Sequence, residues 1–419
     1  MKASSPGIPA ALAPFRVRSF CFQWPSNLAA SWAFEMETII LGWYVLVETG
    51  SVMLLTAFGS LQWAGTFFSP MFGVVGDRIG HRRLLCLMRA FYGAQALVLL
   101  LLALTGMLNA LYVFLVSAAM SLVRPSDVVM RHALVGETIP AEYLMGAMGI
   151  ERTTSDSARV VGALTGAGLI AAYGMGPAYV AITAFYVVAF MLTLGIAAKP
   201  QPAPGAAPAA HKPSHWHDLL DAFRYVRRTP LLLAAMCLAF LVNMTAFPVP
   251  LGLLPYVAKD IYHTDQTGLG YLAAGFSFGA LLGSLILTHR GHAIRSGRWM
   301  LAFALGWYAM LALFAYADSA AWGVAMLVLA GCAQSFCLVP MSAVLLRHSE
   351  ESYRGRVIGI RIFSIYGLPL GLLIAGPLIA HFGFTAMAMT YCIAGAGLTG
   401  VIAWRWRREL WADDAPVNS

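Results

Sequence analysis

Long apolar runs recur along this chain of 419 residues and constrain its fold more than any other feature. A transmembrane helix needs about 20 mostly apolar residues, because each residue rises ~1.5 Å across a hydrocarbon core ~30 Å thick. Runs of this length begin near Phe20, Val52, Leu84, Ala110, Met145, Gly176, Leu231, Gly268, Trp299, Ala321, Val357 and Phe384. The pattern predicts an all-α integral membrane protein with twelve transmembrane helices in two six-helix halves.

The composition agrees with a membrane protein and argues against other classes. Hydrophobic residues make up 59% of the chain and charged residues 11%, whereas soluble domains carry about 25% charged residues. No nucleophile elbow, phosphate-binding glycine loop or HExxH pattern occurs, so we expect neither an enzyme nor a bound cofactor. The six cysteines lie mostly inside apolar runs without metal-ligand spacing, which predicts neither a disulfide nor a metal site.

An interruption divides the apolar runs into two sets of six. Residues 199–213 read KPQPAPGAAPAAHKP, a composition typical of an extended linker. Residues 216–230 place apolar side chains at helical spacing opposite charged ones, which predicts an amphipathic helix at the membrane surface. We therefore predict an N-terminal six-helix half (1–198), a cytoplasmic linker with an amphipathic helix (199–229), and a C-terminal six-helix half with a short cytoplasmic tail (230–419).

Basic residues predict the orientation in the membrane. If the N-terminus is cytoplasmic, the arginine-rich loops fall inside, and the outer loops are short, with Lys259 as their only basic residue. Both termini are therefore predicted to be cytoplasmic. The same distribution accounts for the net charge of +8 without a nucleic-acid partner.

The loop between the second and third runs carries a recognisable motif, GVVGDRIGHRRL. It resembles the cytoplasmic signature loop of the major facilitator superfamily, G-x-L-a-D-R-x-G-R-K. The matching residues, which we predict to act in gating, are Gly73, Asp77, Arg78, Gly80, Arg82 and Arg83. The two glycines are predicted to allow a close helix approach and a tight turn, and Asp77 to hold a basic partner from a neighbouring helix.

The resemblance extends over nearly the whole chain. WAFEMETIILGWYVLVETGS (residues 32–51) is similar to the first span of a bacterial branch of siderophore and drug exporters, the enterobactin-exporter-like branch. This resemblance implies a monomeric secondary transporter of the cytoplasmic membrane that works by alternating access on a small molecule, with protons as the coupling ion. One departure is that GALTG (residues 162–166) stands where proton antiporters of the superfamily usually carry a proline-containing G-P-x-x-G-G element.

Charges inside the first span are costly in lipid and therefore suggest function. Asn27, Ser31, Glu35 and Thr38 share one helical face, which suits the lining of a cavity. Glu35 is predicted to be either a protonatable coupling or substrate-contact group, or a member of a structural ion pair. Glu37 lies on another face and is predicted to be a packing or ion-pair residue.

The fourth and fifth spans carry further charges at helical spacing. Arg124, Asp127 and Arg131 share a face, and Arg124 resembles the fourth-span arginine that antiporters of the superfamily use in proton coupling. Arg152, Asp156 and Arg159 share a face in the fifth span, and Arg361 lies in the eleventh span. Two interpretations remain open here: a static cluster that closes the cytoplasmic gate, with Asp156, Arg159 and Arg361 as members, or a relay whose pairings switch.

Polar groups are sparse in the second half. Asn243 and Gln334 are predicted to contact substrate, and Trp307 and Tyr308 either line the same cavity or pack in the core. A cavity rich in apolar groups suits a bulky amphiphile. Together with the resemblance to the exporter branch, this favours proton-coupled export of a siderophore-like or drug-like amphiphile. The alternative is proton-coupled import of a nutrient or iron chelate.

Overall fold

A computed structural model describes residues 10–197, 215–290, 296–350 and 353–412. Throughout these ranges the chain forms helices joined by short turns, and no strand occurs in them. After a 3-10 helix at Ala10–Arg16, the helices of the first part are α1 (Arg18–Thr49), α2 (Val52–Leu61), α3 (Ser69–Ile79), α4 (His81–Leu104), α5 (Ala110–Thr138), α6 (Ala141–Tyr173) and α7 (Met175–Leu194).

The second part begins with the predicted amphipathic helix. Its helices are α8 (His215–Arg228), α9 (Pro230–Thr245), α10 (Leu254–Tyr256), α11 (Gln266–Arg290), α12 (Ser296–Ala315), α13 (Ala320–Arg347), α14 (Arg354–Ser364), α15 (Gly367–Phe382), α16 (Phe384–Arg405) and α17 (Arg407–Ala412). Two π-helical stretches, Val249–Leu253 and Val257–Ile261, flank α10. The prolines of this region lack the N–H group that an α-helix needs, which accounts for the irregular turns.

All twelve predicted runs fall on helices, and the prediction of an all-α membrane protein is confirmed. Nine membrane-length helical segments in the described residues are long and apolar enough to cross a bilayer. The remaining three runs lie on α1, on α2 with α3, and on α6. Acidic and basic side chains lower the hydropathy of α1 and α6, and a 3-10 helix at Ala64–Phe68 separates α2 from α3.

The chain forms two compact units. The first unit comprises Met1–Leu41 and Ala64–Ala206, and the second comprises Gly42–Trp63 and Ala207–Ser419. The end of α1 and the whole of α2 therefore belong by their contacts to the second unit, although the sequence places them among the first six runs. The predicted linker at 199–213 lies outside the described residues.

Tryptophan side chains tie α1 to α6 in the first unit. Trp24 Nε1 donates a hydrogen bond to Thr154 Oγ1 at 2.8 Å, and Trp32 Nε1 donates to Thr165 Oγ1 at 2.7 Å. The Trp32 ring also stacks on Phe185 of α7 with its centroid at 5.2 Å. Indole N–H groups need acceptors inside a membrane protein, so these bonds fix how α1 is rotated against α6.

Glycines bring α11 and α13 together in the second unit. Gly275, Gly279 and Gly283 follow one another at four-residue spacing on α11, and Gly331 lies opposite on α13. A Cβ atom on Gly279 would overlap the carbonyl group of Val328, and one on Gly331 would overlap that of Phe276. Small residues at such spacing let helix backbones pack closely in lipid, where van der Waals contact drives association.

The segment 42–63 packs on α15 within the second unit. Ser60 Oγ donates a hydrogen bond to the Pro369 carbonyl at 3.0 Å. A side chain at Gly376 would overlap Thr56, so these two helices approach where both residues are small. The contact joins α2 to α15 through backbone and short side chains rather than through long interdigitating ones.

The amphipathic helix α8 packs against α14 and α9 at one end of the second unit. Tyr225 stacks on Tyr353 with a centroid separation of 4.5 Å, and its hydroxyl accepts a hydrogen bond from Glu350 N at 3.1 Å. Phe223 remains 59% exposed. An exposed phenylalanine on this helix is consistent with the predicted position at the membrane surface.

The close packing of α11 on α13 predicts a steric effect at Gly279. We expect Gly279→Val to lower the thermal unfolding temperature by several degrees, because overpacking a tight contact costs about 1–3 kcal/mol. The measurement is fluorescence-detected size exclusion of the solubilised protein after heating. Gly306→Val on α12 is the matched control, since a Cβ atom there meets nothing within 4 Å. Equal unfolding temperatures of the two variants would contradict a tight helix contact at Gly279.

Candidate functional site

The polar face of α1 is bonded to arginines from three other helices. Asn27, Ser31, Glu35 and Thr38 lie on this face, and the side chain of each is bonded to or paired with one arginine. The pairs are Arg89 Nη2 with Asn27 Oδ1 at 3.1 Å, Arg131 Nη1 with Ser31 Oγ at 2.7 Å, Arg159 Nε with Glu35 Oε1 at 3.7 Å, and Arg124 Nη2 with Thr38 Oγ1 at 3.1 Å. The face that we predicted as a cavity lining is therefore largely engaged within the first unit.

A buried network surrounds Asn27. Its side chain accepts from Arg89 and donates to Glu151 Oε1 at 2.9 Å. Asp127 lies 2.5 Å from Arg131 Nε and 3.6 Å from Arg89 Nη2. The Arg89 side chain is fully buried. Two basic and two acidic groups thus meet in the core, where an unpaired charge would cost several kcal/mol.

Arg89 and Glu151 are absent from the predicted site residues. The signal for Arg89 was a single basic residue inside the apolar run LLCLMRAFYGAQALVLLLLAL of α4. A basic residue at that depth cannot reach water easily and therefore needs an acidic partner on a neighbouring helix. Asp127 is that partner.

A second charge cluster is partly open to solvent. Arg159 Nη1 lies 3.6 Å from Asp156, and Arg159 Nε lies 3.7 Å from Glu35. Arg152 Nε bonds the other oxygen of Asp156 at 3.0 Å. The Arg159 side chain is 50% exposed and that of Glu35 is 23% exposed. One accessible guanidinium group is thus shared between two carboxylates on different helices.

Glycines allow this cluster to form. A Cβ atom on Gly162 would lie 2.7 Å from Glu35 Cβ, and one on Gly166 would lie 2.8 Å from Met36 Cα. The GALTG element therefore brings α6 against α1 through missing side chains, without a proline. The close approach holds Arg159 within reach of Glu35.

Arg124 contacts α1 by three kinds of interaction. Its guanidinium group lies over the Phe34 ring, and Nη2 also donates to the Phe34 carbonyl at 3.0 Å and to Thr38. Its Nε atom is buried and has no hydrogen-bond partner among the described residues. The predicted coupling arginine thus faces α1 and keeps one donor unused.

The signature loop is a turn between α3 and α4. Gly80 has φ of 91°, a left-handed conformation that favours glycine and makes the predicted turn. The close helix approach occurs at Gly76, where a Cβ atom would lie 2.9 Å from Met130 Sδ, and the prediction that Gly73 provides it is wrong because nothing lies within 4 Å there. The Asp77 side chain lies outside the described residues.

The basic residues of this loop have distinct surroundings. Arg78 and Arg83 are exposed. Arg82 donates to the carbonyl of Leu194 at the end of α7, where the last carbonyls of a helix favour cations. His81 Nδ1 lies 2.6 Å from Glu137 at the end of α5. The start of α4 is thereby tied to the ends of α5 and α7.

The predicted residues of the second unit are less connected. Arg361 Nη1 donates to Ser342 Oγ at 2.7 Å, and the Asn243 amide donates to the Ala239 carbonyl of its own helix at 2.8 Å. Gln334 Oε1 is buried without a hydrogen-bond partner among the described residues, so it remains free to accept from a ligand. Trp307 and Tyr308 are fully buried and pack in the core rather than lining a cavity.

No group of three His, Cys, Asp or Glu side chains in the described ranges could hold a metal ion. The arrangement can bind and exchange protons or ions through paired charges. A many-helix membrane protein with paired charges inside its spans has the architecture of a membrane transporter.

Comparison with known proteins identifies the family. The family model described as Major Facilitator Superfamily matches residues 24–360 and 237–416, and the chain belongs to that superfamily. It is a multi-pass membrane protein and a secondary transporter of a small molecule, rather than an enzyme.

Several named proteins are similar to this chain. The enterobactin exporter EntS of Escherichia coli O1:K1 is 25% identical over 288 residues, which is 69% of this chain and 67% of that protein. The enterobactin exporter EntS of Citrobacter koseri is 25% identical over 307 residues, 73% of this chain and 71% of that protein. Both alignments extend over most of each chain at low identity.

Solved structures share the fold. The nucleoside transporter NupG has a TM-score of 0.72 at 14% identity, with 94% of this chain and 98% of that chain covered. The POT family transporter PepTSo has a TM-score of 0.73 at 11% identity, with coverage of 96% and 99%.

The buried network predicts a strong effect at Asp127. We expect Asp127→Asn to destabilise the protein by about 3–5 kcal/mol, because it leaves the fully buried Arg89 without an anionic partner. The measurement is the thermal unfolding temperature of the purified protein. Glu142→Gln at an exposed position of α6 is the control and should have little effect. Adding Arg89→Met to Asp127→Asn should restore part of the loss. A network that contributes nothing would leave Asp127→Asn as stable as the control.

Proposed function

We propose that this protein exports a siderophore-like or drug-like amphiphile across the cytoplasmic membrane in exchange for protons, by alternating access. The observation that carries this proposal is the position of Arg159, a half-exposed guanidinium group within 4 Å of two carboxylates, Glu35 and Asp156. The similarity to two proteins named enterobactin exporters supports the export direction and the substrate class.

The shared arginine offers a physical basis for coupling. When Glu35 is ionised, it attracts Arg159 away from Asp156, and when Glu35 takes up a proton, that attraction is lost. Arg159 then pairs with Asp156 alone, and the partly exposed Glu35 carboxyl becomes a neutral hydrogen-bond donor. A proton and a substrate that contact the same group would in this way exclude each other, as exchange requires.

The other predicted residues act in gating, in proton coupling and in substrate contact. The first and last six-helix halves (1–198 and 230–419) rock about a midplane site, with the linker and both termini on the cytoplasmic side. The gating residues would be Gly73, Asp77, Arg78, Gly80, Arg82, Arg83, Asp156, Arg159 and Arg361. Arg124 and Asp127 would act in proton coupling with Glu35, and Asn243 and Gln334 would contact the substrate. The transporter would act as a monomer.

The direction and the substrate are tested by comparing metabolites inside and outside cells. The strains are one that overproduces the protein, one that lacks it, and one that produces Asp77→Asn at the same level. We expect one compound to accumulate outside only with the intact protein, as counted by mass spectrometry. The same compound accumulating inside would reverse the direction and favour the import of a nutrient or iron chelate. No difference in any compound would remove the support for export.

Proton coupling is tested with that compound in proteoliposomes. We expect Glu35→Gln to reduce uptake driven by a pH gradient at least tenfold, because the amide keeps the size of the side chain but cannot take up a proton. Glu48→Gln, at an exposed position of the same helix, should behave as the wild type.

A charge exchange separates the two interpretations of the cluster. Glu35→Arg combined with Arg159→Glu keeps an ion pair but moves the carboxyl to α6. A static pair would be rescued by this exchange, whereas a relay would stay inactive in gradient-driven transport. We expect the exchanged protein to fold and to remain inactive. Full transport by Glu35→Gln or by the exchanged protein would remove Glu35 from the mechanism.

A further inference from the structure

Glu37 is a buried carboxyl group that the proposed mechanism does not use. It lies two residues after Glu35, on another face of α1, and is 1% exposed. The Tyr186 hydroxyl of α7 donates to its Oε2 atom at 3.0 Å. Its Oε1 atom is buried and has no hydrogen-bond partner among the described residues. The Tyr179 hydroxyl also faces this carboxyl, so two phenols surround Glu37.

The groups around Glu37 are two phenols and Arg124, which lies beyond ion-pairing distance. In the part of the chain that the structure describes, no basic nitrogen lies within ion-pairing distance of this carboxyl. The groups that face it are Arg124 from α5 and the phenols of Tyr179 and Tyr186 from α7. An ionised carboxylate surrounded by neutral phenols without a direct ion pair is costly in a membrane interior, whereas a protonated carboxyl is much less so. The environment therefore suits a group that gains and loses a proton.

Unpaired polar atoms continue from Glu37 through the first unit. The hydroxyls of Tyr92 and Tyr179 are buried without hydrogen-bond partners among the described residues, and so are Nε and Nη1 of Arg89. Tyr92 and Tyr186 lie side by side with ring centroids 5.7 Å apart, and both face Arg89. Buried polar groups in proteins nearly always have a partner, often an ordered water.

These unpaired polar atoms lead from Glu37 to the buried network around Asn27. Arg89 is bonded to Asn27, which is bonded to Glu151, and Asp127 lies beside Arg89. Ten residues of α1 separate Asn27 from Glu37, which corresponds to about 15 Å along the helix. The network around Asn27 thus lies about 15 Å from Glu37 along α1, within the same unit.

We propose that Glu37 is a proton-binding site enclosed in the first unit, and that ordered water along Tyr186, Tyr92 and Arg89 connects it to Asp127 and Glu151. Uptake of one proton converts the carboxylate to a neutral carboxyl whose O–H donates to that water, and release returns the proton to it. This inference rests on the proposed proton coupling, in which it adds a second carboxyl on α1 that is separate from the accessible Glu35.

Charge balance connects this site to Arg124. Three arginines, the buried Arg89 and the half-buried Arg124 and Arg131, stand against three buried acidic groups. The acidic groups are Glu37, Asp127 and Glu151, so these six charges sum to zero when all are ionised. Protonation of Glu37 removes one of the two carboxylates that face Arg124, and Glu35 remains as the other. Because Arg124 is bonded to Phe34 and Thr38 on α1, its changed electrostatic balance acts directly on that helix.

The proton itself is the probe in the test. The full-length protein is purified into lipid nanodiscs, and infrared difference spectra are recorded between low and high pH. We expect a carboxyl C=O band that disappears at high pH, that is missing in Glu37→Gln, and that changes frequency in Tyr186→Phe, which removes its hydrogen bond. Size exclusion checks that each variant is folded. If Glu37→Gln is not stable, the change in frequency of the carboxyl band in Tyr186→Phe still tests whether the band belongs to Glu37.

Matched controls define the result that overturns the inference. Glu48→Gln removes an exposed carboxyl of the same helix, and Tyr391→Phe removes a buried hydroxyl that donates to the Gly371 carbonyl. Both should keep the band unchanged. A band that persists in Glu37→Gln, or a wild-type protein without a titrating band of this kind, would overturn the assignment of Glu37.

The transport assay distinguishes this failure from failure of the proposed function. A wild-type protein that titrates Glu37 but ignores a pH gradient in proteoliposomes would refute proton coupling and leave the proton site in place. Gradient-driven transport without a Glu37 band would refute the proton site alone. In the proteoliposome assay, Glu37→Gln should lose the response to the gradient.

Discussion

A guanidinium group in a lipid-embedded core must have partners, and the first unit is organised by this requirement. Arg89 is fully buried, and its partners are Asn27 from α1 and Asp127 from α5. These partners in turn fix the rotation of α1 and the depth of α5. The acidic and amide groups that satisfy the arginines also make α1 less apolar than its neighbours. As a result, α1 is less apolar than a typical membrane-spanning helix and is not recognised as one by its composition.

Small residues are the second constraint on how the helices pack. Association in lipid gains little from the hydrophobic effect, so helices must approach closely to gain van der Waals contact. Gly162 and Gly166 allow this approach between α6 and α1, and Gly279 and Gly331 allow it between α11 and α13. Between α6 and α1, the close approach also brings the Arg159 guanidinium group within 4 Å of the Glu35 carboxylate. Packing and charge geometry are therefore coupled in the first unit, whereas the glycine contact of the second unit is apolar.

The features that depend on local pattern were predictable from the sequence. Apolar runs of sufficient length marked every membrane helix, and the glycine at position 80 marked a left-handed turn. Features that depend on which faces meet were not. Gly73 matches the first glycine of the motif and Gly76 does not, yet of these two glycines it is Gly76 that meets another helix. The sequence left undecided whether Trp307 and Tyr308 line a cavity or pack in the core, because their burial depends on neighbours from other helices. Arg89 is one residue in an apolar run, and its partners are distant in sequence.

The glycine contact between α11 and α13 has a consequence for spectroscopy. Two helices whose backbones touch through glycine cannot slide or separate without losing that contact, so they form a rigid pair within the second unit. Spectroscopic labels on the outer surfaces of these two helices, for instance at Tyr271 and Leu329, which are both exposed, would keep one separation in every state of the transporter. That separation would serve as an internal ruler, against which the distances between other labelled helices could be calibrated in the same sample.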